Sequence, residues 1–162
     1  MFFNRAIFSC LACLFCALYS PTASAIAAVF LSHETAHPGD SAVVGIDLTI
    51  HEDMTDFSFV VHYETDVVSV NDVGAGALLS GWGAEGLSWS DDSAAGEITI
   101  IGTAHGLAPV GWTTGPLLAI TFDVSDDATF DAVSPVTLDP ATFYGPGGAE
   151  IWAAYEFGSI TV

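Results

Sequence analysis

Apolar and polar residues alternate along most of this chain, and a helical period is nearly absent. Ser41–Ile50 places Val44, Ile46, Leu48 and Ile50 on one side and Gly45, Asp47 and Thr49 on the other, the pattern of a half-buried antiparallel strand. Thr55–Tyr63 repeats it, with Phe57, Phe59, Val61 and Tyr63 facing one way and Asp56, Ser58, Val60 and His62 the other. A short first strand is expected over Ala28–Ser32, and a further strand or helical turn over Val67–Val73. Strands are also expected at Leu117–Val124, Val136–Leu138, Thr142–Tyr144 and Tyr155–Val162. Turn signals separate them: Pro38-Gly39-Asp40, a glycine-rich loop over Gly74–Gly83, and Asp139-Pro140. Leu87–Ser90 and Glu97–Ala104 flank the turn Asp91–Gly96 and read as a hairpin. Eight or nine short strands punctuated in this way predict a β-sandwich.

The segment Glu97–Ala104 departs from simple alternation. Ile98 and Ile100 fall on one side and Ile101 on the other. A strand apolar on both sides is either covered twice or shows an apolar row to a partner, because a two-sheet sandwich buries one face of each sheet.

Charge narrows the function. The chain has one basic side chain, Arg5, against twenty Asp and Glu, for a formal net charge of −19. Nothing after residue 5 can neutralise a phosphate, which argues against nucleic-acid binding. The carboxylates must rely on hydrogen bonds, solvent or bound cations, and the field favours cationic partners. Residues 1–25 read as a secretory leader: Arg5 at the start, an apolar run over Ile7–Leu18, and Ala23-Ser24-Ala25 as a small-x-small cleavage site. The expected mature domain is 26–162. All three cysteines precede it, so an exported domain would hold together by its core and not by disulfides.

The order of these signals resembles the cohesin domain of cellulosome scaffoldins. The resemblance is carried by Pro38-Gly39-Asp40 with Ser41–Ile50; by Asp56-Phe-Ser-Phe-Val-Val-His-Tyr-Glu64 with Asp66–Val70; by Gly96-Glu-Ile-Thr-Ile100; by Gly115-Pro-Leu-Leu-Ala-Ile-Thr-Phe122; by Ser134-Pro-Val-Thr-Leu138; and by the terminal Gly158-Ser-Ile-Thr-Val162. It implies an all-β, nine-stranded jelly-roll sandwich, without catalytic activity, that binds a dockerin-bearing protein through one sheet face. Carried over position by position, the partner-binding row is Asp56, Ser58, Val60 and His62, joined by Ile98, Ile100, Gly102 and His105. Cohesins often have Asn and Asp at the positions of Asp56 and Ser58, a bulky aliphatic at Gly102 and an acid at His105. The resemblance also implies a secreted protein, extracellular or at a bacterial cell surface. A carbohydrate-binding or extracellular-matrix module on the same fold is the alternative, with Trp82 and Trp112, both in glycine-rich loops, as stacking platforms for a polysaccharide.

Two further motifs bear on chemistry. His33-Glu34-Thr35-Ala36-His37 matches the zincin motif letter for letter, but that motif needs a helix, and Pro38 drives the residue before it out of helical space. No catalytic residue, cofactor or metal site is therefore expected. The acids Asp123, Asp126, Asp127 and Asp131 could hold Ca²⁺ weakly, although no EF-hand spacing is present.

Overall fold

The computed structural model describes residues 27–162. The leader expected over 1–25 lies outside the described residues. Thirteen strand segments follow in chain order: β1 (Ala27–Leu31), β2 (His33–Thr35), β3 (Ser41–Ile50), β4 (Asp56–His62), β5 (Val68–Ala75), β6 (Leu87–Asp92), β7 (Glu97–Thr103), β8 (Thr113–Val124), β9 (Val133–Leu138), β10 (Thr142–Tyr144), β11 (Glu150–Ile151), β12 (Ala153–Glu156) and β13 (Gly158–Thr161). Two single 3₁₀ turns, Ala77–Leu79 and Ala84–Gly86, occupy the connection between β5 and β6.

The strands form two sheets. Sheet one has the order β12-β1-β3-β8-β5. In sheet two, β4 is central. One of its edges pairs with β7 over its whole length, and β7 pairs in turn with β6. The other edge of β4 pairs with β10 at its start and with β9 at its end. Asp139-Pro140 separates β9 from β10. Beyond β9 the sheet continues through β13 to β2.

The two ends of the domain run side by side and change sheets together. β1 pairs with β12 in sheet one, and β2 pairs with β13 in sheet two, both in parallel. The crossing falls at Ser32. Its backbone N–H still donates to the Gly45 carbonyl at 3.0 Å, while its hydroxyl accepts the Gly45 N–H at 2.9 Å and donates to Glu34 Oε1 at 2.6 Å. Gly158 packs against the Ser32 carbonyl so closely that a Cβ there would overlap it. That close approach is what the glycine provides.

The core lies between the sheets and follows the alternation. Val44, Ile46, Leu48 and Ile50 of β3, with Leu118, Ile120 and Phe122 of β8, meet Phe57, Phe59, Val61, Ile98, Ile100, Val136 and Ile160 from sheet two. Phe57 is the aromatic hub, with ring centroids 5.4 Å from Phe59, 6.0 Å from Trp82 and 6.2 Å from Phe143. The strand expected from Leu117 begins earlier, at Thr113. Pro116 is tolerated because the β3–β8 register shifts between Ile46 and Asp47, and a bulge is where a strand accommodates a residue without an N–H. Both Leu117 and Leu118 are buried there. The glycine-rich loop is shorter than expected at its start, since Gly74 and Ala75 extend β5 along β8.

Candidate functional site

The outward face of sheet two is set by β4. Burying Phe57, Phe59 and Val61 leaves Asp56, Ser58, Val60 and His62 pointing away from the core, each half-buried. Directly opposed residues of an antiparallel pair share a face. The ladder opposes Asp56 to Thr103, Ser58 to Ile101, Val60 to Thr99 and His62 to Glu97. The outward row of β7 is therefore Glu97, Thr99, Ile101 and Thr103. Ser88, Ser90 and Asp92 of β6 extend it, opposite Ile101, Thr99 and Glu97.

This corrects the β7 half of the expected site. Ile98 and Ile100 are fully buried, opposite Val61 and Phe59. Gly102 is buried opposite Phe57, and a Cβ on it would run into the Phe57 ring. Its lack of a side chain makes room for the aromatic hub and contributes nothing to a partner surface. His105 lies past the end of β7, at a left-handed φ of 48°. There its Nε2 sits 3.1 Å from the Glu85 carbonyl. The physical reason is register. The strand is apolar on both sides, and the side with two isoleucines and the glycine packs inward against β4's aromatic row. The remaining isoleucine, Ile101, is 45% exposed. Plain alternation over Glu97, Thr99, Ile101 and Thr103 was the signal that could have identified it.

Val60 and Ile101 are diagonal neighbours across the ladder and make the apolar centre of the face. Beside them, between β6 and β7, is a shallow depression of about 190 Å³ lined by Ser88, Trp89, Ser90, Thr99 and Ile101. Around the centre lie serines, threonines and carboxylates. The His62 ring stands between two acids, with Nδ1 3.6 Å from Glu97 Oε1 and Nε2 3.1 Å from Asp139 Oδ1. Below the face, the Tyr63 hydroxyl donates to Asp91 Oδ1 at 2.7 Å. Burial first, and then this carboxylate, push the phenol well above its ordinary range.

The other candidates divide. Trp82 is buried, stacks on Phe57 and donates from Nε1 to the Ala108 carbonyl at 3.2 Å. It is a core residue, not a sugar platform. Trp112 is 76% exposed. The zincin-like letters fall on β2 and the turn after it, so no helix presents His33 and His37 together. The His33 Nδ1 instead meets the Ser159 hydroxyl at 2.9 Å. Asp123 accepts from the Ser41 hydroxyl and the Asn71 amide, each at 2.8 Å. Among the described residues, no three His, Cys, Asp or Glu side chains converge as a metal site would need. No helix among them is long and apolar enough to cross a membrane.

Comparison with known proteins agrees with this architecture. The family model described as "Cohesin domain" matches residues 27–162. Among curated proteins, none matches the sequence. Solved structures do. The sixth cohesin of scaffoldin B from Acetivibrio cellulolyticus, in complex with a mutant dockerin, is 16% identical with a TM-score of 0.76, over 84% of this chain and 98% of that one. The third cohesin of ScaC from the same organism, in complex with the ScaB dockerin, is 22% identical with a TM-score of 0.75, over 84% and 98%. A non-cellulosomal cohesin from the archaeon Archaeoglobus fulgidus is 17% identical with a TM-score of 0.69, over 83% and 89%. At these identities the likeness establishes the jelly-roll sandwich.

Proposed function

Because the chain belongs to the cohesin domain family, whose members are non-catalytic modules, we propose that it binds a dockerin-bearing protein through the outward face of β6, β7 and β4. The observation that carries this reading is the outward-facing centre of exposed Ile101 and half-buried Val60 on an otherwise polar sheet face. An apolar core with a polar rim is the usual anatomy of a protein interface. The structural relatives solved with dockerins support the partner class. The depression beside Ile101 gives an apolar partner side chain a place to insert, and the acidic rim favours a partner whose contact surface is basic. Asp56, Ser58 and His62 supply rim hydrogen bonds. In this reading the leader over 1–25 exports the domain, the binding needs no cofactor, and Ca²⁺ acts on the chain as a counter-ion to its carboxylates.

A panel of dockerins tested by calorimetry against the wild type and two variants decides it. Ile101→Asp and Val60→Asp each place a charge at the centre and should weaken binding at least about thirtyfold, the size of a central hot-spot loss. A dockerin that binds the wild type and both variants equally would place the interface elsewhere on the molecule.

A further inference from the structure

A second recognition feature lies apart from the β4–β7 row. Beyond the Asp56 end of sheet two, three loops enclose an open cleft of about 520 Å³, lined chiefly by His51, Glu52, Asp53, Trp112, Gly145 and Pro146. Its walls are pinned. Met54 donates to the Val110 carbonyl at 2.6 Å and Val110 donates back at 2.9 Å. Gly111 packs so tightly on Asp53 that a Cβ there would overlap the carboxylate. On the far wall, Gly145 donates to the Ala149 carbonyl at 2.8 Å, and Gly148 to the Gly145 carbonyl at 3.0 Å.

Trp112 is held out of the core by this framework. Its φ is 51°, in the left-handed region that a bulky residue rarely adopts. The residue is 76% exposed, with the His51 ring 5.8 Å from its own in a T-shaped contact. An indole face attracts cations through its quadrupole. The carboxylates of Glu52 and Asp53 stand on the same cleft, and the described chain has no Lys or Arg to pair with them. The net charge of −19 adds a field of the same sign. A neutral sugar ring could stack on the indole but would draw nothing from that charge, so complementarity favours a cation.

We propose that the cleft receives a basic side chain of a partner polypeptide, its guanidinium or ammonium group lying against Trp112 between Glu52 and Asp53. The proposal is independent of the sheet face, because none of its residues belongs to the β4 or β7 row.

The test follows the indole N–H resonances by NMR as the protein is titrated with a blocked Gly-Arg-Gly peptide, a Gly-Gly-Gly control and cellohexaose. Trp152 is 70% exposed and is not among the residues lining this cleft, so it is the internal reference. The Trp112 resonance should shift saturably with the arginine peptide only, while Trp152 stays still. Glu52→Gln should weaken the effect severalfold, the size of an exposed ion pair. Trp112→Ala should abolish saturable shifts of the neighbouring His51 and Gly145 amides. Equal shifts of Trp112 and Trp152 would reduce the effect to diffuse attraction by an acidic protein and overturn the proposal. So would the absence of any shift, or saturation by cellohexaose and not by the peptide.

Discussion

Phe57, Phe59, Ile98 and Ile100 line one side of the β4–β7 ladder at 3% exposure or less. Ser58, Val60, Thr99 and Ile101, each one residue further along, line the other. The two rows share one ladder and one pleat, one row falling at its hydrogen-bonded pairs and the other at its non-hydrogen-bonded pairs. They differ in what covers them. The inner row meets sheet one and is packed to interior density, so its side chains are constrained by volume. The outer row meets solvent, so it can carry two apolar residues, Val60 and Ile101, in a polar setting without the volume constraint of the core. Two isoleucines next to each other in sequence, Ile100 and Ile101, are therefore placed differently: one is buried and holds the fold, while the other is exposed and, in the function proposed above, is offered to a partner.

Substitutions can separate the rows. The largest effect is expected from Ile100→Ala, which opens a cavity in the core and should cost about 2–5 kcal/mol in urea unfolding. If it cost no more than a surface change, the inward assignment would fail. Gly102→Ala comes next. The added methyl collides with the Phe57 ring, and the overpacking should cost about 1–3 kcal/mol. Ile101→Asp is the mirror image: stability within about 0.5 kcal/mol of the wild type, with dockerin affinity sharply reduced. A comparable loss of stability would mean that Ile101 is a folding residue after all.

Smaller effects probe the layer between the rows. Tyr63 has a phenol pKa raised by burial and by Asp91, so the folded state keeps the proton that the unfolded chain releases near pH 10. Its contribution is complete below that pH and is lost as pH rises above it. Chemical denaturation at pH 8 and pH 11 should show a loss of stability that is smaller in Tyr63→Phe; an equal loss in both would exclude Tyr63 as the source. At neutral pH the same variant gives up one hydrogen bond to a carboxylate, worth about 1 kcal/mol. The smallest expected change concerns the acidic rim. Dockerin association should slow severalfold between low salt and about 0.5 M NaCl, while dissociation changes little. A salt-independent association rate would remove the basic contact surface from the partner's description.

Much of this was legible from residue order. The alternation in Ser41–Ile50 and Thr55–Tyr63 fixed which side chains of β3 and β4 enter the core, because a strand with one apolar side has a single favourable orientation. The turns at Pro38–Asp40 and Asp91–Gly96 marked the ends of strands through their own local chemistry. The near absence of Lys and Arg determined the sign of the molecule's field whatever its fold. Pro38 sufficed to deny the His33–His37 motif its helix.

Contacts between distant segments decided the rest. Glu97–Ala104 is apolar on both sides, so its orientation depended on pairing with β4, where Phe57 needs the empty space at Gly102. Trp82 lies among glycines that suggest exposure, yet it packs on Phe57 because the 3₁₀ turns fold the loop back over the end of the core. The cleft at Trp112 unites residues 51–53, 112 and 145–146, which no local pattern connects. Periodicity constrains a strand against water. Only three-dimensional packing sets one strand against another and turns an ambiguous sequence into a definite surface.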